Sequence, residues 1–152
     1  MAKLYAQLYI DKYSHLNPQY TAAFLEAWHR AGLLEIEALR DENERMCAVV
    51  GTFALENTVT APIVGYDTTA PQRLGLYRML MASVIAAAIE RGRCINFSAG
   101  AAEFKRLRGA TAEIEYSAVY SGHLPKSRRR AISVVRAIAE RVGVPFMKKY
   151  RL

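Results

Sequence analysis

The chain has few of the residues that build covalent or metal-held frameworks: two cysteines and three histidines in 152 residues. Cys47 and Cys94 lie far apart in two apolar segments, which suits buried free thiols and not a disulfide framework or a metal knuckle. His15, His29 and His123 are not spaced as ligands, so no metal is expected. Long hydrophobic runs are also missing. Leu80 to Ile89 is flanked by Arg78 and Glu90 and falls well short of the ~20 apolar residues of a bilayer crossing, so no membrane span is expected. Met1-Ala2-Lys3-Leu4-Tyr5 lacks the basic, apolar and small-residue order of a secretory signal, and a cytoplasmic location is expected. Neither a P-loop nor a Gly-x-Ser-x-Gly elbow occurs, which sets aside NTPase and serine-hydrolase chemistry. There is no internal repeat, low-complexity tract or flexible linker.

What is present is apolar residue, at 52%, enough for one core over residues 1–152. Acids are outnumbered 14 to 21 by Lys and Arg, giving a net charge of +7. The excess gathers late, from Lys105, Arg106 and Arg108 through Arg128-Arg129-Arg130 to Lys148-Lys149. A polyanion or phosphorylated ligand would be drawn there, and a solvated helix face with a basic tail would give the same count.

Periodicity orders the elements. Lys3 to Ile10 alternates tyrosine with aliphatic residues and suggests a short strand. Asn17-Pro18 suggests a helix start running to Ala31, with Phe24, Leu25 and Trp28 on its core stripe. Leu33 to Arg40, Met46 to Leu55 and Thr58 to Asp67 read as three antiparallel strands, with turns at Asp41-Glu42-Asn43-Glu44 and Glu56-Asn57. Leu76 to Arg91, without a breaker and closed by Gly92, is the clearest helix. A short strand at Cys94 to Phe97, a basic helix at Ala101 to Arg108, a strand at Ala112 to Tyr120 and a helix at Ser127 to Val142 complete the order. Edge strands at Leu4 to Ile10 or Ala112 to Tyr120 would be open to pairing with another chain. The fold class expected is α/β: a mixed, mostly antiparallel sheet with helices on both faces and a ligand where strands diverge.

The passage from third strand to long helix reads Gly65-Tyr66-Asp67-Thr68-Thr69-Ala70-Pro71-Gln72-Arg73-Leu74-Gly75-Leu76-Tyr77-Arg78. It resembles the pyrophosphate loop of GNAT acyltransferases: Arg or Gln, two residues, Gly, one residue, then Gly or Ala. Gln72 and Gly75 match, and Tyr77 stands where a small residue is usual. The chemistry is that of free N–H groups at a helix start cradling phosphate. Gln72, Arg73, Leu74, Gly75, Leu76, Tyr77 and Arg78 are therefore the expected donor-binding residues, with acetyl-CoA or another acyl-CoA as cofactor. From Ala48 to Arg108 the order of Tyr66-Asp67, the Gly75-initiated helix, Asn96-Phe97-Ser98-Ala99-Gly100 and Phe104-Lys105-Arg106 is similar to Fem-type and cellulose-biosynthesis-associated (CelD-like) transferases with tandem GNAT-like domains. That resemblance implies that the chain is the C-terminal half of a larger two-domain protein beside an adjacent GNAT-like domain. It also implies that Lys105 steadies negative charge as an acyl group transfers.

A general base is sought among Glu56, Asp67, Glu113 and Glu115, with Asp67 favoured because it ends a strand beside the loop. Tyr116 and Tyr120 are candidate acids or water holders. The leading reading is an acyltransferase acting on a small-molecule or peptide acceptor. Two others stay open: a GNAT-like binding module that has lost its donor, and a Fem-type transferase using aminoacyl-tRNA, to which the late basic residues would answer.

Overall fold

Glu56-Asn57 leaves room only for a two-residue turn between two β-branched, apolar runs, and Glu56 takes the positive φ of 51° that such turns use. A computed structural model describes residues 1–98 and 102–150, in two compact units, Met1–Phe97 and Ser98–Leu152. In the first, β1 (Glu35–Arg40), β2 (Met46–Leu55) and β3 (Thr58–Tyr66) are successive antiparallel neighbours. β4 (Cys94–Asn96) adds in parallel to the far side of β3, giving the order β1-β2-β3-β4.

The register of β3 carries the feature that opens the sheet. Gly51 faces Ile63 and Phe53 faces Thr60, so Ala61 and Pro62 stand against Thr52 alone as a β-bulge. Proline has no N–H to give a ladder and is tolerated at such a bulge. β4 pairs only with Thr58, Val59 and Thr60. Up to Thr60, then, β3 is paired on both sides, and from Ala61 to Tyr66 strand pairing among the described residues is on the β2 side alone.

Alternation sends Glu35, Glu37, Val50, Thr52 and Val64 to one face and Ile36, Val49, Gly51, Ile63 and Gly65 to the other. Helix α3 (Leu76–Glu90) buries Leu80, Met81, Val84 and Ala88 on the first face. Ser83 donates to Glu37, and Arg91 pairs with Glu35 at 2.6 Å. On the second face lie α1 (Ala2–Ala6), which runs on as a π-helical stretch (Gln7–Tyr13), and α2 (Ala22–Arg30). Tyr5, Leu25, Leu34 and Ile63 form the core there. Gly65 lets α1 come close: a Cβ on it would lie 2.5 Å from the backbone C of Leu4 and N of Tyr5. A mixed, mostly antiparallel sheet with helices on both faces is the architecture expected from the sequence.

Three elements differ from expectation. Lys3 to Ile10 is helical: Tyr5, Tyr9 and Tyr13 recur every four residues and their rings contact in succession, at 4.8 and 6.1 Å between centroids. Tyr5 is 3% exposed, donates its hydroxyl to Pro18 O at 2.9 Å, and burial pushes its phenol up to about 12. The second helix begins after Thr21, whose Oγ1 accepts from Phe24 N at 3.2 Å, and not at Pro18. A hydroxyl at the N-cap satisfies a donor that the helix leaves unpaired. Thr21→Ala is expected to cost about 1 kcal/mol in urea denaturation, and Thr21→Ser much less.

The second unit supplies the third difference. It contains α4 (Ala102–Arg106), closed by Gly109 at φ 78°, then α5 (Lys126–Ile138), a π-helical stretch (Ala139–Gly143) and α6 (Val144–Tyr150) in unbroken sequence. Ala112 to Tyr120 is irregular instead of a strand. Its alternating Tyr116 and Tyr120 are 74% and 80% exposed, so alternation there has no buried face to serve. The edge pairing expected of Leu4 to Ile10 and of Ala112 to Tyr120 falls with their strands.

Candidate functional site

β3 delivers the chain to α3 through a loop whose shape follows from its residues. Asp67 N donates to Cys47 O at 2.8 Å and extends the ladder by one residue. The Asp67 carboxylate then turns the chain by accepting from Thr69 Oγ1 at 2.5 Å and Thr69 N at 3.0 Å. Arg45 reaches its other oxygen at 3.2 Å. The hydrogen bonds from Thr69, helped by the Arg45 charge, hold this carboxyl below the usual aspartate range. A carboxylate so held accepts a proton poorly at neutral pH.

Past Pro71, Gln72–Leu74 make one 3-10 turn, and Gly75 adopts left-handed φ 62°, ψ 31° as the residue that opens α3. Met79 N bonds to Gly75 O at 3.0 Å, the first bond of the helix. The amides of Leu76, Tyr77 and Arg78 therefore precede the helical ladder, as the first N–H groups of any helix do. No acid sits in that first turn and no side chain caps it. Gln72, Arg73 and Leu74 are exposed, while Gly75, Leu76 and Tyr77 are half-buried.

The nearest atoms to a Cβ built on Gly75 are those of the Arg78 guanidinium, Nε at 3.1 Å and Nη2 at 3.2 Å. Arg78 thus folds back over the glycine and brings a fixed cation to the positive end of the helix. The Tyr77 ring lies 6.5 Å from that of Tyr66. An anion placed at this entrance would meet amides, a guanidinium and the helix dipole, all of favourable sign. The residues present therefore fit the phosphates of a nucleotide-borne acyl carrier. Glu56 is at the opposite end of β3, in the hairpin turn, and does not share this place.

The second unit holds the other candidates. Lys105 donates to Ser98 O at 2.5 Å, and Ser98 Oγ donates to Glu115 Oε2 at 3.3 Å. Desolvation pushes the Lys105 ammonium below its usual range, against the opposing pull of Glu115. Ser98 has a left-handed φ of 55°, a conformation that costs a non-glycine residue energy. Arg108 lies over the Phe104 ring at 3.5 Å. Tyr116 and Glu113 are exposed on the irregular segment. Ala99, Gly100 and Ala101 lie outside the described residues.

Gln72 through Arg78 and Asp67 are thus gathered in one loop and helix start, and Lys105 and Tyr116 belong to the other unit. Sequence reasoning missed Arg45, which braces Asp67, and the bulge at Ala61-Pro62; a proline inside a strand run is the signal that marks the latter. Among the described residues no group of three or more His, Cys, Asp or Glu is placed to hold a metal, and no helix is long and apolar enough to cross a membrane.

No curated protein matches the chain. The family described as acetyltransferase (GNAT) domain matches residues 3–106, a span that holds the whole sheet, the α3 entrance and Lys105. On that match, which covers more than half of its residues, this chain belongs to the GNAT acetyltransferase domain family.

Proposed function

We propose that the chain transfers an acyl group from an acyl-CoA to a small-molecule or peptide acceptor, with the α3 entrance holding the donor. The observation that carries this is the αL Gly75, which leaves the amides of Leu76, Tyr77 and Arg78 at the mouth of a helix with the Arg78 guanidinium folded over it. Those groups would hold the pyrophosphate. The side of β3 from Ala61 to Tyr66 that no strand among the described residues pairs would offer its backbone to the extended arm of the donor. When bound, such a donor supplies an acyl group activated as a thioester.

The chain's own residues divide the remaining work. Asp67, held ionised by Thr69 and Arg45, braces the loop and fixes where α3 begins. Lys105 is assigned to negative charge on the acyl oxygen, on the resemblance to Fem-type and CelD-like enzymes and on its desolvated ammonium. Tyr116 is assigned to proton delivery on the chemistry of its phenol alone. Titration calorimetry of the folded chain against acetyl-CoA, longer acyl-CoAs and acyl-carrier protein tests the reading. Heat with at least one donor is expected, and none with any of them contradicts it.

The Lys105 role has its own pH signature. A lowered lysine pKa keeps the cation below that value and loses it as pH rises through it, so a rate that needs the cation declines on the alkaline side before ~10.4, the free-lysine value. Lys105→Met is expected to lower kcat about tenfold or more with donor affinity kept, and Lys105→Arg to restore part of the rate while moving the alkaline decline upward. A pH profile of kcat for the three proteins decides it; identical alkaline limbs in wild type and Lys105→Arg would remove Lys105 from the reaction.

A further inference from the structure

The helical stretch from Lys126 to Tyr150 lies beyond the residues that match the acetyltransferase family. It carries eight Lys and Arg against Glu140 alone, a net +7 equal to that of the entire chain, so the remaining residues sum to zero. On α5, Arg129 and Arg136 lie seven residues apart on one flank and Arg130 on the other, and Val135 and Ile138 run between them, with Arg128 at the start of that row. Val142 and Phe146 continue at four-residue steps through and past the π-helical stretch, with Arg141 and Lys148 near them in sequence. No residue of these helical segments is buried, and Val135 and Val142 are 67% and 62% exposed.

We propose that this helix is a surface-seeking element that lies in the plane of an anionic lipid bilayer, its Val135-Ile138-Val142-Phe146 row inserted and its cations on the headgroups. Charge complementarity selects this occupant. A second copy would bring the same cation rows against each other along the seam, which disfavours association. A nucleic acid would engage the cations and leave the apolar row in water. An anionic bilayer engages both, because acyl chains take the apolar row while flanking Lys and Arg reach headgroup phosphates. Eight cations exclude a crossing, so the helix rests on the surface.

The test is co-sedimentation of the full chain with vesicles of phosphatidylcholine containing one-third phosphatidylglycerol, beside vesicles of phosphatidylcholine alone, with single-stranded polyuridylate as a competing polyanion. Binding to the anionic vesicles and not to the neutral ones is expected. The double variant Ile138→Asp/Val142→Asp should lower that binding about tenfold or more, and each of Arg129→Ala and Arg130→Ala about fivefold. Circular dichroism of these variants should keep the strand signal of the first unit, since none of the altered residues is buried. Absence of sedimentation with anionic vesicles overturns the proposal. Polyuridylate binding untouched by the aspartates, with vesicle binding equally untouched, also overturns it and identifies a bare polyanion site. A dimer that the aspartates dissociate, without vesicle affinity, overturns it in favour of a second copy.

Discussion

Gly65→Ala will remove about 2–4 kcal/mol from the stability of the chain, and Gly65→Val more, because the added carbon meets backbone and not a movable side-chain end. The contact is 2.5 Å to Leu4 C and Tyr5 N, with Leu4 O at 2.8 Å. No rotamer relieves it. Helix α1 must lift from β3, and with it go the burial of Tyr5 and Leu8 and the Tyr5 hydroxyl bond to Pro18. Burial of two such side chains contributes on the order of 3–6 kcal/mol, so partial detachment is the cheaper response and accounts for the lower figure. Gly92→Ala is the control: nothing lies within 4 Å of a Cβ there, and only its φ of 62° resists, at about 1 kcal/mol. Urea midpoints for the two variants should therefore separate clearly. Equal losses would mean that α1 does not rest on Gly65.

Arg78→Glu will lower acyl-CoA affinity about ten- to hundredfold while leaving α3 as stable as before or slightly more so. The two effects have opposite signs for one physical reason. A carboxylate in the first turn is favourable to the helix dipole, which adds a few tenths of a kcal/mol to the helix. The same carboxylate replaces a guanidinium beside Gly75 and repels phosphate, forfeiting a charge-assisted bond of about 1.5–3 kcal/mol. Since Arg78 is exposed, its loss opens no cavity. Calorimetric affinity and thermal midpoint measured on one sample read the two effects separately. An affinity that falls only in step with the midpoint would assign Arg78 to folding alone.

The parts of this architecture legible in the sequence are those where one period admits one reading. The Glu56-Asn57 turn between two β-branched runs specifies the β2-β3 hairpin, and fifteen residues without a breaker specify α3. The loop from Gln72 to Gly75 is marked in the sequence by its resemblance to the GNAT pyrophosphate loop, and the φ of 62° at Gly75 gives the glycine of that pattern a backbone reason here. Lys3 to Ile10 misleads because tyrosines and aliphatics at every second and every fourth position satisfy both a strand and a helix, and only packing against Gly65 selects between them. Ala112 to Tyr120 alternates but is irregular, and alternation by itself makes no ladder. Asp67 is singled out by its place beside the loop, whereas its contacts with Thr69 and with Arg45, 22 residues distant, are a property that composition does not carry. The fold of Arg78 over Gly75 is of the same kind.

Backbone amide shifts of the 15N-labelled full chain during titration with acetyl-CoA test the central claim most directly. The largest saturable changes are predicted at Leu76, Tyr77 and Arg78, with smaller ones along Ala61 to Tyr66. Binding that leaves those three amides unmoved, or no binding by a folded sample, would contradict the placement of the acyl carrier at the start of α3.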